Sequence, residues 1–294
     1  MNALTEAIGF GIVTAMTLAI STVAVSLQHS VTSVPNFAHG DIMSAGAYSA
    51  YTVSLFNHSL LLQALAAVVV GALVAGVLNS ALLQPFIRRG AKAVTLLVIT
   101  VAVALIIQSI TTGVYTGSTV NYALPSSSPH KVGPFLLSLR DGIIIAVALV
   151  VLASVHVILR YTKFGKAQRA VSDNPELARA SGIDSSRVVQ LTWLWAGAMT
   201  GLGGFVLAGQ LGSFTPTVGF YFLFVVYSAA VVGGLGNVYG AIVGALLIGV
   251  GTSVSGLYVS GDFSQSFAFV VLIATLLLRP SGLFASRVRV VAEL

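Results

Sequence analysis

His39 and Asp41, two positions apart, are the residues of this chain that come closest to the start of a chemical site. They lie in the polar run 35–41 (P-N-F-A-H-G-D), where an apolar pattern stops and then resumes. A histidine near a carboxylate could move protons for a hydrolase buried in a membrane. That chemistry also needs a nucleophile or a metal, and the sequence has neither a Ser-containing nucleophile motif nor an H-E-x-x-H helix to accompany the pair. There is no cysteine, which excludes thiol catalysis, disulfides and thiolate metal sites. ATP hydrolysis by the usual route is excluded as well. Gly165 and Lys166 are followed by Ala167, and no G-x-x-x-x-G-K-[ST] phosphate cradle is present. The chain is therefore expected to use no cofactor and no metal, and to draw any ATP power from a partner.

The same run has a reading in transport. Irregular backbone with unpaired polar groups survives at membrane depth only where protein covers it or where it lines a cavity. Asn36, Phe37, His39, Gly40 and Asp41 are thus candidates for a broken helix on a substrate pathway or subunit contact, with an ordinary connector as the plainer alternative. Gly233, Gly234 and Gly236, followed by Asn237, form a second candidate stretch, because neighbouring glycines invite an unwound helix whose backbone can meet a substrate. Gly197 and Gly201, Gly236 and Gly240, and Gly240 and Gly244 have the small-xxx-small spacing that lets helices approach closely, and they read as packing faces. Asp41 is the acidic candidate within the apolar segments, which disfavours a carrier coupled to protons or sodium through buried carboxylates.

The elements that must position these residues follow from composition. Of 294 residues, 56% are hydrophobic and 7% charged, against roughly a quarter charged in a soluble domain. Such a chain cannot coat a water-soluble globule, and its natural solvent is lipid. Nine apolar runs approach spanning length: 8–27, 42–56, 60–83, 93–112, 143–159, 188–207, 218–234, 238–259 and 263–278. They predict an all-α, polytopic membrane protein of about eight to nine transmembrane helices in one domain, 1–294. The second, seventh and ninth runs are short enough to be tilted, broken or re-entrant, and 218–259 could cross twice or dip and return. Strict period-two alternation is absent, which argues against a β-barrel. The first run has no basic stretch ahead of it and reads as a retained span, not a signal peptide.

The net charge of +6 is concentrated in a few loops. No basic stripe interleaves with aromatics, so nucleic acid is not the partner. Arg88, Arg89 and Lys92 form one cluster, Arg160, Lys163, Lys166, Arg169, Arg179 and Arg187 a second, and Arg279, Arg287 and Arg289 a third. The positive-inside rule places all three in the cytoplasm. An odd number of crossings from an external N-terminus satisfies this and leaves 113–139, rich in Ser and Pro and carrying Lys131, as an external loop. The main hydrophilic stretch is 160–187. Asn174 can cap a helix that Pro175 begins, Glu176 suits the positive helix end, Gly182 can take the left-handed turn that ends it, and Asp184 can cap the next span. A short helix at 175–181 results, too small for an enzyme domain and the right size for a docking element.

Three blocks together carry a resemblance over nearly the whole chain: 34–48 (V-P-N-F-A-H-G-D-I-M-S-A-G-A-Y), 164–183 (F-G-K-A-Q-R-A-V-S-D-N-P-E-L-A-R-A-S-G-I) and 231–245 (V-V-G-G-L-G-N-V-Y-G-A-I-V-G-A). In order and spacing they resemble the permease subunits of branched-chain amino-acid ABC transporters, LivH-type. The resemblance implies a pore built from this chain and a second homologous permease, or a second copy. It implies two cytoplasmic ATP-binding subunits as the motor and an extracytoplasmic binding protein that delivers the amino acid. It also makes the 164–183 block the ATPase-coupling element, through Phe164, Gly165, Arg169, Asn174, Pro175, Glu176, Leu177, Arg179 and Gly182. The chain departs from the family pattern at Pro35, and at Val225 and Thr252, uncharged where relatives often carry a lysine and an acid. Close relatives carry urea and short amides, so that substrate class stays open, as does a stand-alone channel or facilitator that needs no ATPase.

Overall fold

The computed structural model describes residues 3–258 and 264–284. In chain order the helices are α1 (Ala3–Thr32), α2 (His39–Ser54), α3 (Leu60–Val77), a π-helical turn (Leu78–Leu83), α4 (Gln84–Arg88), α5 (Ala93–Val114), α6 (Leu139–Tyr161), α7 (Lys163–Asp173), α8 (Pro175–Ala180), α9 (Ser185–Leu211), α10 (Val218–Gly233), α11 (Val238–Tyr258) and α12 (Ser264–Leu278). Among the described residues six helices are long and apolar enough to cross a membrane: α1, the continuous run Leu60–Arg88, α5, α6, α9 and α11. The basic residues Arg287 and Arg289 lie outside the described residues.

Burial sorts these helices into centre and rim. In α1 and α9, 72% of the most apolar window is inside the protein, whereas the corresponding share is 17% in α5 and 22% in α6. The central pair is rich in small residues because other helices press on every side. A Cβ on Gly11 of α1 would lie 2.8 Å from Val250 Cα, and one on Gly249 2.5 Å from Ala15 Cα. Gly197 and Gly201 of α9 meet Gly71, Ala67 and Ala75 of α3 in the same way, backbone on backbone. Lipid supplies no hydrophobic drive between helices, so close contact of this kind carries the association.

The bundle has two distinct ends. At one end, β2 (His130–Val132) and β3 (Phe135–Leu137) form a small antiparallel hairpin, and β1 (Val120–Asn121) pairs with β4 (Ser213–Phe214) just past α9. Phe135 packs on Gly9 there, and the Tyr122 hydroxyl donates to Gln63 Oε1 at 2.6 Å. Burial pushes the Tyr122 phenol pKa up. At the other end lie α7 and α8, tied to the last turn of α1 by Gln168 Nε2 donating to Ser30 Oγ at 2.9 Å. Arg88 donates to Ser186 Oγ at 3.4 Å at this end, and the backbone after Arg279 docks beside Gly234. Arg88, the basic residues of α7 and α8 and the segment after Arg279 therefore lie at one end among the described residues.

Two of the three short segments, the second and the seventh, prove to be half-depth helices. After α1 the chain doubles back through 33–38 and α2 begins well inside the bundle, with His39 beside Thr200 of α9. After α9 it doubles back through 212–217 and α10 begins inside, its Gly219 N–H donating to Ser44 Oγ of α2 at 3.0 Å. Each of the two helices has 16 residues, about 24 Å of helix, against a hydrocarbon core of about 30 Å. Their first turns cross where Gly40 and Gly219 lie backbone to backbone, with no room for a side chain on either. The order long buried helix, extended return, half-depth helix, long returning helix, outer helix occurs twice: α1, α2, α3, α5 and, in the opposite sense, α9, α10, α11, α12. Opposed repeats with paired broken helices are a recurring plan of membrane transporters. In 218–259, α10 completes the descent begun by 212–217 and α11 runs back to the hairpin end.

Two elements go beyond the sequence-based expectations. The hydrophilic stretch 160–187 holds two helices, α7 as well as α8. Thr162 caps α7 by accepting from Gly165 N at 3.0 Å, and the buried side of α7 (Gly165, Gln168, Val171) seats it on the bundle. The π-helical turn follows α3 where Asn79 donates to Gln190 Oε1 at 2.6 Å, and such turns tend to mark places where a helix has adapted to function.

Candidate functional site

The 36–41 stretch is a buried junction. Asn36 Oδ1 accepts from Ala38 N at 3.1 Å, while its Nδ2 donates to Gln28 Oε1 of α1 at 3.1 Å. Its backbone N–H donates to the Tyr227 hydroxyl of α10 at 2.8 Å, and Phe37 N donates to Thr100 Oγ1 of α5 at 3.2 Å. Phe37 stacks on the Tyr227 ring, centroids 5.9 Å apart. His39 Nδ1 lies 3.3 Å from Thr200 Oγ1. The broken backbone thus takes its partners from α1, α5 and α10, with His39 reaching α9, which is how a helix start is tolerated at depth. His39 Nε2 and Asp41 Oδ1 are buried without a hydrogen-bond partner among the described residues.

The second candidate stretch lies at the α7–α8 end, as the tight connection from α10 to α11. Gly234 and Gly236 have φ of 101° and 86°, a region that favours glycine, and Gly233 packs directly on Gly240. Asn237 Oδ1 accepts from Tyr239 N at 3.1 Å and Gly240 N at 3.0 Å, capping α11. Its Nδ2 donates to Phe284 O at 2.5 Å, holding the segment after α12 against the turn.

A cavity of about 770 Å³ opens at the hairpin end, between the start of α1, the end of α9, the start of α10 and the end of α11. Its walls are largely apolar: Phe10, Leu207, Phe222, Val225 and Leu257. Polar groups converge on one wall. Thr17 Oγ1 donates to Gln210 Oε1 at 2.7 Å, and Gln210 Nε2 donates to Thr14 Oγ1 at 3.0 Å. Glu6, in the first turn of α1, is the charged residue of the lining. The size and the mix of apolar wall with few polar groups are those of a small-molecule site. Neither 36–41 nor 233–237 lines this cavity, so the structure sets the two candidate stretches apart from it. Val225 and Thr252 do line it. Among the described residues no group of three His, Cys, Asp or Glu could hold a metal ion.

The expected coupling element is at the opposite end. Asn174 Oδ1 accepts from Glu176 N at 3.0 Å and Leu177 N at 2.9 Å, Gly182 has φ +83°, and Asp184 Oδ1 accepts from Arg187 N at 3.0 Å. Phe164 lies edge-on to Trp195 of α9 at 6.0 Å, and Gly165 sits on the backbone of Leu159, so these two anchor α7 to the bundle. Arg169, Asn174, Pro175, Glu176, Leu177, Arg179 and Gly182 face outward. Leu177 is 64% exposed while its neighbour Ala178 is buried. Helix α8 thus offers one apolar side chain outward on a capped turn, with charged residues before and after it in sequence.

The protein family described as "Branched-chain amino acid transport system / permease component" matches residues 7–276. The chain belongs to that family. It is 31% identical over 284 residues to the probable branched-chain amino acid transport permease protein LivH of Methanocaldococcus jannaschii, covering 90% of this chain and 88% of that protein. It is 25% identical over 289 residues to the high-affinity branched-chain amino acid transport system permease protein LivH of Escherichia coli (strain K12), covering 93% and 92%. Among solved structures, PsaBC from Streptococcus pneumoniae in complex with Fab has the same fold, with a TM-score of 0.53 at 15% identity over 92% of this chain and 91% of that one. Family membership decides among the classes the sequence left open: the chain is a permease subunit, neither an enzyme nor a stand-alone facilitator.

The permease's cavity was not legible from charged residues or glycines, and a different signal would have found it. Glutamines of three long helices each bond to another part of the fold: Gln28 of α1 to Asn36, Gln63 of α3 to Tyr122, and on α9 Gln190 to Asn79 and Gln210 to Thr14 and Thr17. An amide in an apolar segment is costly unless paired. In this permease, buried amides mark the seams, and the amide at the end of α9 marks the cavity.

Proposed function

We propose that this permease is the membrane-spanning subunit of an ATP-driven importer of branched-chain or other small amino acids, set in the inner or plasma membrane with its N-terminus outside. The reading rests on one observation: the two buried helices α1 and α9 connect an amphipathic cavity at one end to an exposed, capped docking helix at the other. A binding protein outside would deliver the amino acid to the cavity. Two cytoplasmic ATP-binding subunits would grip α7 and α8, and a second homologous permease, or a second copy, would complete the pore in the lipid. The stretches 36–41 and 233–237 would bear on the pathway as its inner closure, since they knit the half-depth helices to α1 on the α7–α8 side of the cavity. The relatives named for branched-chain amino acids support the substrate class.

The test is ATP-dependent uptake of labelled leucine, urea and glutamate by the complete transporter in proteoliposomes. Leucine uptake is expected, with none in vesicles holding the permease alone. Urea uptake without leucine uptake would overturn the amino-acid reading. Orientation has a clean assay because the chain contains no cysteine. Ser181→Cys, on the exposed turn after α8, is expected to react with a membrane-impermeant maleimide in inside-out vesicles and not in intact cells. The reverse pattern would invert the topology.

A further inference from the structure

We propose that Gln210 recognises the substrate in the outer cavity, pairing with both ends of a net-neutral aliphatic zwitterion and so excluding dicarboxylic amino acids; this rests on the amino-acid reading above. The geometry carries the idea. A primary amide has two N–H donors and two acceptor lone pairs. Thr14 uses one donor and Thr17 one lone pair, and these bonds fix the amide from two points on α1. One N–H and one lone pair are left on a group that lines the cavity. A carboxylate needs a donor and an ammonium needs an acceptor, and the amide keeps one of each. The N–H serves the carboxylate and the carbonyl oxygen takes the ammonium. Leu257, Phe222 and Val225 offer an apolar wall for an aliphatic side chain.

The charges of the lining support the same class. Among the described residues no Lys or Arg lines the cavity, and Glu6 stands in the first turn of α1. A second carboxylate would enter a largely apolar space with no cation to meet it and one anion to repel it. An amide is neutral, so its bond to a substrate carboxylate is reversible without the desolvation cost of a buried ion pair, which suits a site that must release its cargo.

The experiment is equilibrium binding of tritiated leucine to the nucleotide-free permease–ATPase complex in nanodiscs, with competition by leucinamide, 4-methylpentanoate and glutamate. In the wild type, the two capped analogues and glutamate are expected to compete at least about tenfold more weakly than leucine, as loss of a hydrogen bond to a charged group implies. Gln210→Met keeps the length and removes both bonds; leucine affinity should fall about tenfold and the preference over leucinamide and 4-methylpentanoate should nearly vanish. Gln210→Glu, which can still accept from Thr17, should lose leucine and retain leucinamide. It answers the same question should Gln210→Met fail to assemble. Wild-type affinity for leucine in either variant overturns the inference while leaving the function intact. A wild-type complex that carries urea and binds no leucine overturns both.

Discussion

Leu177→Asp is expected to cut ATP-driven uptake at least about tenfold while leaving the permease folded. Leu177 is 64% exposed on α8, and the inward contact of that helix is made by Ala178, 4% exposed. The leucine side chain is mostly exposed among the described residues, so the thermal midpoint should stay within a few degrees of wild type. A motor subunit closing over α8 would bury that side chain, a gain of about 2 kcal/mol. Aspartate forfeits the gain and adds the cost of desolvating a carboxylate. At about 1.4 kcal/mol per tenfold, uptake should drop at least about tenfold. Arg169, Glu176 and Arg179 are exposed charges of the same loop, and Arg179→Ala should cost no more than about 1 kcal/mol and be sensitive to salt. Uptake at the wild-type rate in Leu177→Asp proteoliposomes would remove α8 from the coupling route. Loss of uptake together with loss of the folded protein would show a structural fault instead.

What could be read from the chain was what is settled locally. The caps around α8 depend on residues three or four apart, so Asn174, Pro175, Gly182 and Asp184 announced them. The apolar runs gave the helices because a spanning segment satisfies its backbone within itself. Of the small-xxx-small glycines, Gly197, Gly201, Gly240 and Gly244 each press on a neighbouring backbone or small side chain, whereas Gly236 stands in the turn before α11 at φ 86° and belongs to no packing face. The family blocks gave the class. The half-depth starts of α2 and α10 were visible only as short runs, because what permits them is remote: Ser44 for Gly219, Thr200 beside His39, Tyr227 and Gln28 for Asn36. Helix α7 was missed for the opposite reason. Its composition is polar, and its helical pattern rests on a few small or apolar residues, Gly165 and Val171 among them, which the bundle selects. The cavity brings Thr14 of α1 to Gln210, Val225 and Thr252 of the consecutive helices α9, α10 and α11, 196 or more residues on, and no local pattern encodes such a meeting.

Gly201→Val should prevent the permease from folding, the largest stability effect expected of a single change here. Gly201 lies at mid-length on α9, where α2 and α3 both touch it. A Cβ there would fall on the Ala67 carbonyl oxygen and 3.1 Å from Gly71 Cα, and a Cβ on Gly46 or Gly71 would in turn meet the Gly201 backbone. The obstructing atoms are backbone, so no rotamer change can relieve the overlap, and three helices have to part. Overpacking in a close-packed core costs about 1–3 kcal/mol and more where nothing yields, and in lipid the parted helices recover no hydrophobic gain. Gly142→Val is the matched control, since a Cβ at Gly142 of α6 meets nothing within 4 Å; it should be close to neutral. The measurement is the yield of monodisperse permease in mild detergent and its thermal midpoint. A folded Gly201→Val protein with a wild-type midpoint would mean that α9 can slide against α2 and α3 freely. That outcome would reach the transport scheme too. Helix α9 carries the exposed loop of α7 and α8 at its start and Gln210 at its end. A motion imposed on one reaches the other only if the glycine junction between them is tight.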